Sequence, residues 1–389
     1  MPDCDPDALM LGLEVALEDP PAVMSGGSFG LLLNAASLDR GFDYAHLLLA
    51  KRFPGRLRAL FGPQHGLWCE QQDNMIETPH GRDPRTGLPV YSLYAERRKP
   101  EPGMLEGLDA LVVDLQDVGT RVYTFIWTLS LCLEACAHAG IPVVVLDRPN
   151  PLGGTVVEGP TLTRGFESFV GRAPIPMRHA LTVGEMALHL NRAMGIGARI
   201  EVVRVRGWQR HQLWSDTARP WIPTSPNLPR FEGVLLYPGQ VLLEGTRLSE
   251  GRGTTTPFEI CGAPWIDPWR LADALGEFPL PGIAARPLRF VPTFNKHTDA
   301  SCGGLFLHPT EAREVRSYTA TLALLATLRK LWSDDFRWLD PPYEYETERM
   351  PIDILSGSAA LREAIDGGAD PAQVAKLARV DVAAWTAAT

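Results

Sequence analysis

The chain of 389 residues contains no run of 18 apolar residues, so nothing in it reads as a membrane-spanning helix. It has no CxxC pair. Its six cysteines, Cys4, Cys69, Cys132, Cys136, Cys261 and Cys302, are scattered, which leaves no zinc-type spacing and fits a reduced, cytoplasmic protein. Cys132 and Cys136 stand one helical turn apart and read as packed thiols, and no metal is expected. The chain is not basic either. A net charge of −9 argues against nucleic acid as the main partner. Met1 to Pro21 is acidic and lacks the basic start and apolar stretch of a signal peptide, so no export is expected. No GxGxxG follows the first apolar strand, only NAAS at 34–37. A dinucleotide cofactor is therefore unsupported, and a Rossmann-type oxidoreductase is the weakest reading. Internal repeats and low-complexity tracts are absent as well.

What the chain does have is a strand–helix–strand unit from Asp109 to Gly154. Ala110 to Val113 is a short, all-apolar, Val-rich run that predicts a buried strand. Val118, Val122, Phe125, Ile126, Leu129, Leu133 and Cys136 recur at helical steps, and Gly140 ends that helix. Ile141 to Leu146 is a second strand. Such a crossover joins parallel strands with right-handed connectivity. Phe29–Leu33 and Leu57–Phe61 read as further strands, with a short helix over Tyr44–Phe53 between them. Thr182 with Glu185 makes a capping box for a helix ending near Gly195, and Ile200–Val205 is another strand. Four strands thus end in polar turns, at Asn34, Gln64–Gly66, Asp114–Arg121 and Asp147–Asn150. The expectation is a doubly wound α/β domain whose strand ends converge on one crevice.

The turn-rich stretch from Gln71 to Pro102 reads as a wall or lid over that crevice. Trp221 to Arg230, with three prolines, reads as the passage from a Rossmann-like domain, 1–230, to a smaller α/β domain, 231–389. Tyr237 to Trp265 is too rich in Gly, Thr and Pro for a long regular element, yet it holds Glu244, Glu250, Arg252 and Glu259. It is expected to roof the crevice, mainly through 244–256. Strands near Leu288–Val291 and Leu305–Leu307, a long helix over Glu311–Trp332 and short helices near 359–365 and 371–378 complete the chain.

Taken in order, FGPQHG, DLQDVGTRVYTF, LDRPNPLGG, VEGP, SPNLP, YPG, EGTRLSEGRGTTTPFE and GAPW resemble the exo-β-N-acetylmuramidase (NamZ-like) family over about residues 30–361. The resemblance implies a glycoside hydrolase that removes terminal N-acetylmuramic acid from peptidoglycan fragments, as in cell-wall recycling. It implies a site between the two domains, an amino-sugar glycan or muropeptide as partner, and no metal or nucleotide. The family's turn usually reads GPEHG, with a glutamate where this chain has Gln64. A glutamine cannot exchange a proton as a carboxyl group does, so the rival reading is a catalytically altered glycan-binding protein.

Glycosidases ordinarily use two carboxyl groups. The candidates for catalysis are Asp114, Asp117 and Glu244, with Gln64 and His65 at the altered turn; Glu70 and Glu77 are possible substitutes from the loop behind it. Asp114 and Asp117 also stand where they would cap the following helix. Candidates for substrate binding are Asn34, Arg121, Tyr123, Asp147, Arg148, Asn150, Asn227, Glu250, Arg252 and Trp265. Asp147 beside Arg148 reads equally as a structural ion pair. Arg121 and Arg252 suit a sugar carboxylate, which a guanidinium fork binds in two parallel bonds. Tyr123, Trp68 and Trp265 suit stacking on a sugar face, though aromatics more often fill a core.

Overall fold

The computed structural model describes residues 9–72 and 75–389. Cys4 and the acidic residues Asp3, Asp5 and Asp7 lie outside the described residues, as do Asp73 and Asn74 of the expected lid. The first domain is built on a seven-stranded sheet. Its strands are β1 (Phe29–Leu33), β2 (Leu57–Gly62), β3 (Gly81–Arg82), β4 (Pro89–Ser92), β5 (Ala110–Asp114), β6 (Val143–Leu146) and β7 (Ile200–Val203). They lie in the order β3-β4-β2-β1-β5-β6-β7. All pairs are parallel except β3 with β4. The chain leaves β1 toward β2 and later resumes on its other side at β5, which makes a topological switch point there. Strands β1, β5 and β6 are buried at every residue, as strands covered by helices on both faces must be.

The expected helix after β5 starts later than its apolar spacing implied. It runs from Phe125 to Ala139 and is ended by Gly140 at φ 72. Val118 and Val122 are buried in the preceding loop instead. That loop is fixed from both sides: Asp117 Oδ2 accepts from the Gly119 amide, and the Arg121 amide bonds to Met177 O. Gly119 has φ 76, and a Cβ on it would sit 2.3 Å from Asn150 Oδ1. No larger residue fits there. The capping box of Thr182 and Glu185 forms as the sequence predicts and starts the helix Val183–Ala193.

The second domain holds a three-stranded antiparallel sheet of β8 (Ile260–Ala263), β9 (Ile283–Phe290) and β10 (Cys302–Pro309), in the order β8-β10-β9. The long helix beside it begins at Ser317 rather than Glu311 and ends at Leu331. The helix Phe231–Gln240, which no apolar spacing announces, carries Pro238 inside it and runs on as a 3₁₀ turn, Val241–Gly245. Gly239 explains why a poor helix former stands there: a Cβ would lie 2.0 Å from Ser317 O, so the two helices touch backbone to backbone. One apolar cluster runs from Val113 and Phe125 to Leu322 and Leu325. The C-terminal residues return to the first sheet's loops, where Trp385 Nε1 bonds to His179 O at 3.0 Å.

Candidate functional site

The GPQHG turn follows β2. His65 (φ 71) and Gly66 (φ 76) are both left-handed, which reverses the chain at once and leaves Gln64 buried. Behind β5, the loop fixed by Asp117 and Arg121 delivers Val122, Tyr123 and Thr124 to the same place. The second domain closes over them with Tyr237 from its first helix, Glu244 from the 3₁₀ turn, Arg252, Phe258, and Tyr343 with Glu344 from the C-terminal tract. Together they line a cavity of ≈ 20 Å³, room for about one water. That is too small for a sugar ring, so occupation has to displace part of its wall. Larger hollows lie elsewhere, an open one of ≈ 1240 Å³ beside Glu134 and His138 and one of ≈ 280 Å³ beside Arg148 and Trp214. In the first, Glu134 is already paired with Lys99 and Arg172, and among the described residues the second has Asp39 as its only carboxylate, so chemistry rather than volume marks the site.

Inside the cavity, hydrogen bonding is specific. Thr124 Oγ1 donates to Gln64 Oε1, and Gln64 Nε2 donates to Glu344 Oε1 and to Tyr94 Oη, each at 3.1 Å. Tyr94 Oη in turn donates to Glu344 Oε2 at 2.8 Å. Burial pushes the Glu344 carboxyl up to about 7, against those two hydrogen bonds, and nearby Glu244 adds to the rise. Glu344 also sits at φ 45, a strained backbone for a residue with a side chain.

Glu244 is held differently. Arg252 Nη2 lies 2.7 Å from its Oε1 and Tyr343 Oη 2.5 Å from its Oε2. Arg252 also reaches Glu250 at 3.1 Å, and Lys296 bonds to Glu250 at 2.9 Å. Burial opposes the Arg252 charge, but Glu244 and Glu250 outweigh it and hold the guanidinium protonated beyond its ordinary range. Glu250 is likewise kept low by Lys296 and Arg252 in spite of burial. His65 is pushed down to about 4, chiefly by burial, and its Nδ1 pairs with Gln71 O at 2.8 Å. It is thus a neutral imidazole at pH 7. Asn227 Nδ2 holds Gln72 O at 2.6 Å, at the edge of the same loop.

The sequence candidates therefore divide. Gln64, His65, Tyr123, Glu244 and Arg252 come together in the cavity, with Glu250 and Asn227 behind it. Asp117 stands one step back, 3.4 Å from His179 Nε2. The other strand-end residues serve the fold. Asp114 and Arg148 form a buried pair with contacts of 2.5 and 2.9 Å, and Arg148 also bonds to Leu38 O. Asp147 caps the Val183–Ala193 helix through Gly184 N (2.7 Å) and Thr182 Oγ1 (3.1 Å), and burial raises it to about 6. Asn34 closes its own turn with Ser37, and Asn150 ties Leu152 to Leu181.

Arg121 is buried and donates to three carbonyls, those of Pro160, Ile175 and Leu355, across both domains. Its Nε has no partner among the described residues, but the whole side chain is sealed from solvent, so no ligand carboxylate reaches it. Trp265 packs on Trp332 with ring centres 5.8 Å apart, away from the cavity. Glu70 and Glu77 are exposed, and Trp68 leans on Tyr44 at the surface.

Glu344, Tyr343, Tyr94, Tyr237 and Thr124 were not foreseen. The one available signal was the Asp-Pro-Pro-Tyr-Glu-Tyr-Glu run at 340–346, whose acids and aromatics alternate in a tract too proline-rich for a helix. Among the described residues, no group of three His, Cys, Asp or Glu is placed to hold a metal ion. No helix among them is long and apolar enough to cross a membrane.

A carboxyl group that keeps its proton near neutrality shares this cavity with a second one paired to arginine. That is the equipment of acid-assisted hydrolysis in the manner of glycosidases. The chain belongs to the exo-beta-N-acetylmuramidase NamZ family: the N-terminal family model matches residues 29–232 and the C-terminal one residues 235–389. It is 39% identical over 357 residues to the peptidoglycan beta-N-acetylmuramidase NamZ of Bacillus subtilis, covering 92% of this chain and 84% of that protein. Among solved structures it is similar to a DUF1343 family protein from Bacteroides fragilis, with a TM-score of 0.88 and 31% identity. A second such protein from that organism gives 0.73 and 25%. Each alignment covers 98% of this chain and 97% of the other.

Proposed function

We propose that the protein is an exo-β-N-acetylmuramidase, releasing terminal N-acetylmuramic acid from peptidoglycan fragments. The observation that carries the reading is the Glu344 carboxyl, raised to about 7 in the cavity that also holds Glu244. Glu344 is the general acid: its proton passes to the glycosidic oxygen as the bond from the anomeric carbon breaks. Glu244, pinned by Arg252 and Tyr343, is the second carboxylate, set to act on the positive charge that develops at that carbon. Tyr94 and Gln64 hold the acid in place.

Gln64 then does not count against an active enzyme. The proton sits on the neighbour to which its amide donates, and the Gln64 departure alone motivates the altered-binding-protein reading, which the muramidase relative does not favour. We further propose that the enzyme works on short muropeptides in the cytoplasm, within cell-wall recycling. The support is that removal of a terminal sugar needs chain ends, which short fragments supply in excess. The test is product analysis on a disaccharide with muramic acid at its non-reducing end. Free N-acetylmuramic acid and an intact partner sugar are expected. An untouched substrate, or cleavage only within longer glycans, would overturn the exo-acting reading.

A further inference from the structure

A muramic acid differs from the corresponding glucosamine by a lactyl ether that ends in a carboxylate. Arg252 is poorly placed to read it, because Glu244 and Glu250 already occupy its donors. Another cation stands beside the cavity. Arg98 lies in the loop after β4, with its Cζ 3.4 Å from the centre of the Tyr345 ring and 5.2 Å from that of Phe169. Both rings adjoin cavity residues in the chain, Tyr345 following Glu344 and Phe169 preceding Val170. Tyr94 joins them, 5.9 Å from Tyr345 and 5.8 Å from Phe169, and its hydroxyl reaches Glu344. Arg98 is thus one aromatic layer from the proposed acid, close enough for its charge to act on Glu344.

Among the described residues Arg98 has no hydrogen bond or ion pair, and its Nε is buried without a partner. A guanidinium laid flat on an aromatic ring is oriented by the stack, while its edge stays open for a forked pair of bonds to a carboxylate. The side chain is partly exposed and its two Nη atoms, unlike Nε, are not buried, so a carboxylate reaches the guanidinium from the Nη side.

We propose that Arg98, oriented by Tyr345 and Phe169, binds the lactyl carboxylate of the terminal muramic acid and so sets the enzyme's preference over glucosamine-type ends. This rests on the muramidase reading above. The structural rival is that the stack only pins the strained tract around Glu344. A substitution that removed a pin would harm all sugars alike, whereas one that removed a carboxylate receptor harms only the acid.

The experiment is calorimetric titration of N-acetylmuramic acid, its methyl ester and N-acetylglucosamine into wild type, Arg98→Gln and Arg98→Lys. Wild type is expected to bind the acid about 10- to 100-fold tighter than the ester, the range of a charged hydrogen-bond pair. Arg98→Gln should lose that margin, binding acid and ester alike, while its N-acetylglucosamine affinity stays put. Arg98→Lys, which keeps charge but not the fork, should fall between. Equal weakening for all three sugars, or an acid preference that survives in Arg98→Gln, overturns the assignment and leaves the muramidase reading intact. Wild type that does not distinguish acid from ester overturns it too, with no variant needed. Wild type that binds neither muramic compound overturns the muramidase reading and this assignment together.

Discussion

Replacing Glu344 by glutamine keeps the shape of the side chain and removes the one proton that the account places at the glycosidic oxygen. With its carboxyl at about 7, about half of the wild-type molecules carry that proton at pH 7. An ordinary glutamate, near 4.3, would carry it in only about 0.2%. Burial, with Glu244 beside it, therefore raises the competent population by roughly two orders of magnitude. A positioned general acid contributes about 10²–10⁴-fold to the rate, or roughly 3–5 kcal/mol of barrier, so Glu344→Gln should lower kcat on a sugar leaving group by that factor. A 4-nitrophenyl leaving group needs little protonation, and the same variant should lose far less on it. The pH profile gives an independent reading. The acid works while protonated, so wild-type kcat/KM on a sugar leaving group should fall as pH rises through about 7, and Glu344→Gln should lack that limb. The assay is initial rates on both muramides from pH 5 to 9. A variant that hydrolyses the disaccharide like wild type, or keeps the alkaline limb, would refute the role of Glu344.

Gln64→Glu would set a second carboxyl about 3.1 Å from Glu344. Two carboxyls so close share a proton, so the alkaline limb of kcat/KM should move to higher pH; an unmoved limb would mean the new group turns away. Arg252→Ala leaves Glu244 and Glu250 short of a buried partner, which costs about 3–5 kcal/mol. The expected result is a large fall in melting temperature with equal loss on muramides and glucosaminides, where a selective loss on muramides would return Arg252 to the role of carboxylate clamp. Asp114→Asn should likewise lower stability by several kcal/mol through the stranded Arg148, while the pH profile of the folded fraction stays in place; a shifted profile would bring Asp114 back to the chemistry.

Much of the fold could be read from the residues because fully apolar runs such as Leu111–Val113 and Val143–Leu146 have only one comfortable place, the middle of a parallel sheet. The helix after β5 was placed too early because Val118 and Val122 keep helical spacing while their loop is held by side-chain and backbone bonds that no periodicity reveals. The helix Phe231–Gln240 was missed for the opposite reason. Its Gly239 looks like a helix breaker, but it is needed for contact with Ser317.

Site residues divided along the same line. Gln64, Glu244 and Arg252 sit in motifs whose cost in glycine and charge called for an explanation. Asp114 and Asp147 looked equally suitable, but strand-end carboxylates are also what an open sheet uses to pair an arginine or cap a helix. Glu344 could not be inferred. It reaches Gln64 from 280 residues further along the chain, and only the folded chain brings the two together.

The central claim is that this cavity cleaves muramides by carboxyl catalysis, and the most direct measurement is kcat/KM of wild type on paired chromogenic substrates. The account predicts release of chromophore from the N-acetylmuramide, with the N-acetylglucosaminide turned over at least about tenfold less efficiently, since one charged contact is worth at least a factor of ten. Equal turnover of the two, or none of either, would contradict it.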